Sequence, residues 1–463
     1  MNRRTFLSQT GAGAGLIGLN SVLVDDGALA GGLHHPATAK RVIWLFLNGG
    51  PSHIDTFDYK PALTKHADEP LPGFDPKSAF FSGAQGNLMP SPFTFRPYGE
   101  SGKMISEVFH QTASRHADDI AFIHSCYSES NNHTPALFQM NSGLPRLGFP
   151  SMGSWLLYGL GTESRDLPGF VVMTDTKGRG FPKGYAQNWS SGFLPGTYQG
   201  TSLNIQGDPI NDLSRRKGMS ASQQKEQLDL LNLLNRGGNR QTCLEDEMEA
   251  RIQSFELAFR MQAAAPEALD VMRESEATRN LYGIDEPHCD HFARQCLMAR
   301  RLVERGVRMV QIYSGGESNA NSWDGHVNIK ANHGGFGQEV DQPIAGLLTD
   351  LKARGLLDDT LILCCGEFGR QPVAQKSANP GRDHNPFAYT AWMAGGGIRG
   401  GVSYGATDEF GYKATEKKVS IHDIHATVLH TLGIDHERLT YRFNGRDFRL
   451  TDVFGNVIHN VLA

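Results

Sequence analysis

The stretch LILCCGEFGRQPVAQKSANPGRDHNP, residues 361–386, decides how this sequence folds. It opens on Leu361-Ile362-Leu363-Cys364-Cys365, short, apolar and without a polar break. A run of that length and character is a strand covered on both faces, the signature of a parallel sheet with helices above and below. The run stops at Gly366-Glu367-Phe368-Gly369-Arg370, which places a carboxylate and a guanidinium just past a strand's carboxyl end. In open α/β sheets that edge is where ligands bind. Asp383-His384-Asn385-Pro386 follows with the donor types of a metal ligand loop. The stretch therefore reads as half of a metal site, and the remaining ligands must come from elsewhere in the chain.

Working outward, the same strand-then-polar-cluster pattern recurs. Arg41 to Leu47 reads as the first strand and ends in NGGPSHIDTFD, which offers Asn48, His53, Asp55 and Asp58. Val307 to Tyr313 reads as another and leads to Asp324-Gly325-His326. Ile120 to His124, Gly169 to Met173 and Tyr389 to Ala394 complete the expected strands. Helical periodicity marks 105–116, 154–158, 245–262, 289–305 and 338–354. His133 and Thr134 open a helix with Pro135 in its first turn, and His422 and His425 lie at i and i+3 on the last clear helix. Residues 60–100 read as an irregular surface excursion and 174–240 as loop-rich, with Asn188 to Pro195 as a candidate cleft wall. Alternating strands and helices make the fold class α/β, one mainly parallel sheet with helices on both faces, over residues 41–463 as a single domain.

The amino terminus is read apart from the fold. Paired Arg3-Arg4, an apolar Gly/Ala-rich stretch from Thr10 to Val24, and Ala28-Leu29-Ala30 match a twin-arginine export signal over residues 1–30. That predicts a periplasmic or extracellular protein. The apolar stretch is too short for a transmembrane anchor. A net charge of −5 over 463 residues argues against nucleic acid as a partner. The six cysteines show no CxxC spacing, so Cys364 and Cys365 read as buried thiols rather than a disulfide.

Mixed carboxylates and imidazoles suit zinc or manganese better than calcium, and more than five ligands would imply two ions. Asp55, His133, Asp324, His326, Glu367, Asp383, His384 and His422 are the candidate ligands, with His133, Thr134 and Arg370 the candidates for catalysis. Thr134 reads either as a metal-activated nucleophile or as a helix cap, and His422 either as a ligand or as a core residue.

NGGPSHIDTFD, GEFGR, GRDHNP and HDIHATVLHTLGI together resemble a sulfatase-like family of unknown function within the alkaline phosphatase superfamily. Ser420 to Ile434 is similar to the DLxPTLLxLxGI helix of sulfatases, and Glu367-Phe368-Gly369 stands at the place of the superfamily's D-H-G ligand loop. The resemblance implies a three-layer sandwich and an exported metallohydrolase of a phosphate or sulfate ester, with a small-molecule or glycan ester as substrate. It implies one ion on Asp324, His326 and His384, and another on Asp55 or Asn48 with Glu367 and His133. His133 stands where sulfatases carry the Cys or Ser converted to formylglycine. That departure keeps open a second reading, a non-catalytic metal-containing protein that binds an anionic glycan or a partner. The two-ion arrangement requires these distant side chains to converge in one crevice.

Overall fold

The structure is a computed structural model that describes Leu29 and residues 32–204, 218–236, 243–317 and 319–463. The signal segment expected over 1–30 thus lies outside the described residues, Leu29 excepted. Among them, no helix is long and apolar enough to cross a membrane.

Eight strands form the main sheet: β1 Arg41–Leu47, β2 Ile120–Cys126, β3 Phe170–Met173, β4 Thr201–Ser202, β5 Met309–Ser314, β6 Thr360–Cys365, β7 Tyr389–Ala394 and β8 Ser403–Tyr404. Their spatial order is β8-β2-β7-β6-β1-β5-β3-β4. Only β7 runs antiparallel to its neighbours β2 and β6. The other pairings are parallel. The reversal has a structural consequence. Asp383 and His384 precede β7, so β7 must start at the edge where the parallel strands end if those side chains are to join the ones that follow β1, β5 and β6.

The flanking helices follow from side-chain alternation. On β1, Val42, Trp44 and Phe46 enter one core, whereas Ile43, Leu45 and Leu47 enter the other. Helices α1 His110–His116, α2 His133–Ser142, α3 Met152–Leu160, α4 Ala221–Arg236, α5 Cys243–Leu269, α6 Asp290–Glu304, α7 Ile329–Ala353 and α8 Ile421–Thr431 accompany the sheet. Leu137 of α2, Trp155 of α3 and Ile424 of α8 pack on the first face. Ala113 of α1, Ala265 of α5, Phe292 of α6 and Val340 of α7 pack on the second. This is the expected α/β sandwich of three layers. On β6, Cys364 and Cys365 are buried free thiols on opposite faces, and the Trp44 indole N–H lies 3.3 Å from Cys365 Sγ.

Three expectations shift. Helix α7 begins at Ile329, not 338, because Gly334, Gly335 and Gly337 are helical. A Cβ on Gly337 would stand 2.6 Å from Val108 Cγ1, so this glycine permits close packing and does not break the helix. Helix α4 lies where loop was expected, with Gln223 N–H on Ser220 Oγ and a Lys225–Asp229 pair. The excursion over 60–100 holds short paired strands, Gln85–Leu88 with Val373–Gln375 and Phe95–Tyr98 with Lys103–Ser106.

Helix α8 starts with a capping box between Ser420 and Asp423. Inside it, His425 is fully buried and its Nε2 donates to the Met140 carbonyl at 2.8 Å. Burial, with the neighbouring His422 adding to it, pushes its pKa down to about 3. The unfolded chain, titrating near the ordinary value of about 6.5, binds more protons between those limits. Stability is expected to rise with pH from about 3 to 6.5 and to be lost on acidification through that window. Urea midpoints of His425→Gln, which keeps a donor for Met140, should show a shallower pH slope there than wild type.

Candidate metal centre

The strand ends build the site from backbone outward. β1 runs into Gly49 and Gly50, whose φ values are +112° and +67°. A Cβ on Gly49 would sit 2.6 Å from the Asp324 nitrogen, so the turn after β1 and the loop after β5 can meet only over a glycine. The Gly49 N–H then donates to Glu367 after β6, at 3.1 Å and 3.2 Å to the two carboxylate oxygens.

Three imidazoles converge on the Asp324 carboxylate. His326 Nε2 lies 2.8 Å and His384 Nε2 3.2 Å from Oδ1, and His133 Nε2 lies 3.2 Å from Oδ2. The two nitrogens of His326 and His384 are 2.9 Å apart. In each ring the other nitrogen is already engaged. His133 Nδ1 meets Glu367 Oε1 at 2.6 Å, His384 Nδ1 the Asn131 carbonyl at 2.6 Å, and His326 Nδ1 Gln375 Oε1 at 2.7 Å. Each of those partners accepts, so Nδ1 carries the proton and Nε2 presents a lone pair. Three lone pairs and a carboxylate facing one another repel unless a cation or extra protons join them. His133 Nε2 is buried and has no hydrogen-bond partner. Donors held at about 2.0–2.1 Å around a tetrahedral zinc are about 3.3 Å apart, close to the spacings here. His133, Asp324 and His384 therefore fit a divalent cation, and His326, Asp383 and His384 come within ligand spacing of one another beside them.

The electrostatics agree. Burial opposes ionisation of Asp324, but the Arg370 guanidinium and the three imidazoles hold its carboxyl far below the usual range. Burial pushes His384 well below its ordinary pKa despite the Asp324 hydrogen bond, which keeps it neutral. Burial works against a charged His133 as well, yet the Asp324 and Glu367 carboxylates on its two sides outweigh it and raise its pKa. A proton and a metal ion thus compete for the same nitrogen.

Other candidates are placed differently. Asp55 is fully buried, but Arg382 grips it with Nε to Oδ2 at 2.7 Å and Nη2 to Oδ1 at 3.2 Å, and Ser52 donates to it as well. Its oxygens are spent on a buried ion pair, which removes it from the ligand set. Asn48 donates to the Gly316 carbonyl and is likewise occupied. Arg370 is fully buried and donates to the Gly49, Gly50 and Arg382 carbonyls and to Asp324 at 2.7 Å. It therefore orients Asp324 and ties the loops together, with little left for a substrate. His422 donates to the Gly143 carbonyl at 2.8 Å and packs on Phe454, so it serves the α2–α8 packing. Thr134 is not the helix cap: Asn132 is, accepting from the Thr134 N–H at 3.2 Å. Asp383 faces the His326–His384 pair, His326 Nδ1 being 3.8 Å away. Its oxygens accept from the N–H groups of His384 and Phe81 at 2.8 Å and 3.0 Å. Glu367 therefore supports His133 from behind, whereas Asp383 stays within metal-ligand spacing of His326 and His384, next to the group that His133, Asp324 and His384 form.

The family described as "Protein of unknown function (DUF1501)" matches residues 39–462. The chain belongs to this family. A comparison with curated proteins gives no match. Among solved structures, Ps i-CgsB in complex with k-i-k-neocarrahexaose aligns at a TM-score of 0.36 and 10% identity, over 86% of this chain and 74% of that one. The PsFucS1 sulfatase from Pseudoalteromonas sp. aligns at 0.35 and 11%, over 86% and 68%. The alkaline phosphatase from the Antarctic bacterium TAB5 aligns at 0.32 and 9%, over 85% and 98%. At this degree of likeness chemistry does not transfer, and the centre's own geometry has to support any activity.

In this DUF1501 member several contributors left no trace in the sequence pattern. The Asn131 carbonyl and the Gln375 amide fix two ring tautomers. Phe80 and Phe81, exposed to 39% and 44%, cover His384 and His326 with ring centroids at 4.7 Å and 5.0 Å. Paired aromatics in a Pro/Gly-rich excursion were the only available signal. Asp324 and His326 also line a cavity of about 540 Å³, the access to the cluster that the described residues show.

Proposed function

We propose that the chain is an exported, metal-dependent hydrolase of phosphate or sulfate esters. The observation that carries this is the presentation of three imidazole Nε2 atoms to one buried carboxylate, each ring locked from behind by an acceptor. His133, Asp324 and His384 would hold one ion, zinc or manganese by donor type, with His326 and Asp383 at ligand spacing on the other side of His384. Bound there, the cation would lower the pKa of a water and stabilise charge on an ester's oxygens. Glu367 and the Asn131 carbonyl keep His133 and His384 in the ligating tautomer, the role of outer partners in metal sites generally. Phe80 and Phe81 shield two of the imidazoles from solvent, and Asp324 and His326 face the cavity through which an ester would reach the centre.

One observation favours the alternative, a metal-containing binding protein. His133, the residue at the position where sulfatases carry their nucleophile, is turned onto Asp324 and Glu367, so the centre shows no hydroxyl or thiol in that place. The two readings part on turnover. Purified protein loaded with the metal it carries is expected to hydrolyse members of a phosphate and sulfate ester panel, and His384→Ala to lose both metal and activity. Stoichiometric metal in wild type with no turnover of any ester, but with retention of sulfated glycans, would support the binding reading instead.

A further inference from the structure

The cavity beside the centre also contains a guanidinium. Arg179 lines it together with Asp324, His326, Asn319 and Phe336. The side chain is clamped from one side. Nη1 donates to Asp175 Oδ2 at 3.2 Å and to Glu339 Oε2 at 2.9 Å, and Nη2 donates to Glu339 Oε1. The Phe336 ring covers one face, 4.7 Å from Cζ. Glu339 is held in turn by Lys177 Nζ at 2.8 Å and faces His291 Nε2 at 3.3 Å. Burial opposes its ionisation, but His291, Arg179 and Lys177 bring its pKa down to about 2, so the clamp stays charged at any working pH.

A guanidinium has five N–H groups. Three are used here, all on the Nη1–Nη2 end. The Nε–H and the remaining Nη2–H form the other edge, and neither has an acceptor among the described residues. That edge is a planar two-donor fork, the shape that matches two oxygens of a phosphate or sulfate. Its rotamer is fixed before any ligand arrives, which lowers the entropic cost of binding. Asp175, His291 and Glu339 also come within metal-ligand spacing of one another. With Arg179 and Lys177 already neutralising those carboxylates, a second cation has no charge left to satisfy there.

We infer that the Nε–Nη2 edge of Arg179 binds the oxyanion of a small-molecule ester admitted through this cavity, beside the cluster formed by Asp324 and the three histidines. The inference rests on the ester-hydrolase reading and adds the anion-binding residue that Arg370, fully buried and largely engaged with backbone and Asp324, does not provide. The cavity's volume, about 540 Å³, falls within the range of small-molecule sites.

The test uses inorganic phosphate and inorganic sulfate as separate probes, titrated calorimetrically into the metal-loaded protein. Wild type is expected to bind at least one of them, and the preferred anion names the ester type. Arg179→Gln and Arg179→Lys are expected to weaken it by about tenfold or more while retaining metal. Phenylglyoxal labelling of wild type supplies a measurement that needs no variant: the bound anion should protect Arg179, read by peptide mass. Unchanged affinity in metal-replete variants, or labelling of Arg179 at the same rate with and without anion, overturns the inference and leaves the centre intact. Wild type that holds its metal but binds neither anion sinks the ester reading itself, and this inference with it.

Discussion

Asp324→Ala is expected to yield protein with no bound metal and a stability lower by about 3–5 kcal/mol. Two separate effects make this the largest single-site change. Every imidazole Nε2 of the cluster faces Asp324, so its removal takes away the only anionic donor that touches all three rings. Arg370, fully buried, simultaneously loses its only side-chain counter-charge among the recorded contacts, and an uncompensated buried charge costs far more than the pair was worth. Asp324→Asn separates the effects. It keeps the shape and one acceptor oxygen, enough for Arg370 but not also for the Asn319 N–H, which donates to the other carboxylate oxygen, and it removes the charge. Elemental analysis together with urea unfolding should show Asp324→Asn as metal-poor and more stable than Asp324→Ala.

The second large effect lies at the Asp55–Arg382 pair, buried completely on both sides. Arg382→Ala is expected to destabilise by about 3–5 kcal/mol, since Asp55 would remain charged and unpaired in the interior. Against burial, Arg382 and then Ser52 are what hold the Asp55 pKa below its ordinary value. The carbonyls of Gln371, Pro372 and Met89 would lose their shared donor as well. A double variant, Asp55→Asn with Arg382→Met, removes both charges and should recover much of the loss. In stoichiometry the pair behaves oppositely to Asp324: the double variant is expected to keep its metal. Loss of metal in a well-folded double variant would restore Asp55 to the ligand set.

These two sites also show where sequence reading succeeds and where it stops. The sheet was legible because β1 and β6 are near-continuous apolar runs and β5 is broken only by Gln311, and the polar residues that follow them had to gather at one edge. Asp324, His326 and His384 were therefore readable as neighbours before any coordinates. What a linear pattern cannot carry is the direction in which a carboxylate spends its lone pairs. Asp55 and Asp324 follow strands with equal promise, yet one meets a guanidinium fork and the other three imidazoles. Arg370 and Arg382 were indistinguishable for the same reason. Glu367 and Asp383 read as ligands because their types allow it; geometry puts Glu367 behind His133 and leaves Asp383 within ligand spacing of His326 and His384. His422 and His425 fell on one helix face, as expected, but that face meets α2 and its carbonyls. Arg179 passed unnoticed because nothing local distinguishes a guanidinium with one free edge, and the acids that clamp it come from the start of its own loop and from α7.

The start of α7 was missed through a different rule. Gly334, Gly335 and Gly337 argue against helix by propensity, yet tertiary packing against Val108 makes a glycine useful there. Helix α4 had the right composition, a Ser start followed by Gln, Lys, Glu and Leu, and was obscured by the loop-rich sequence on its amino-terminal side.

The most direct test of the central claim is anomalous X-ray diffraction from crystals of the protein purified without chelators, recorded on both sides of the absorption edge of the metal found by elemental analysis. A peak is expected among His133, Asp324 and His384, about 2.0–2.3 Å from their donor atoms. A metal-replete crystal with its peak elsewhere, or a metal-free protein whose three side chains keep these positions through protons alone, would contradict it.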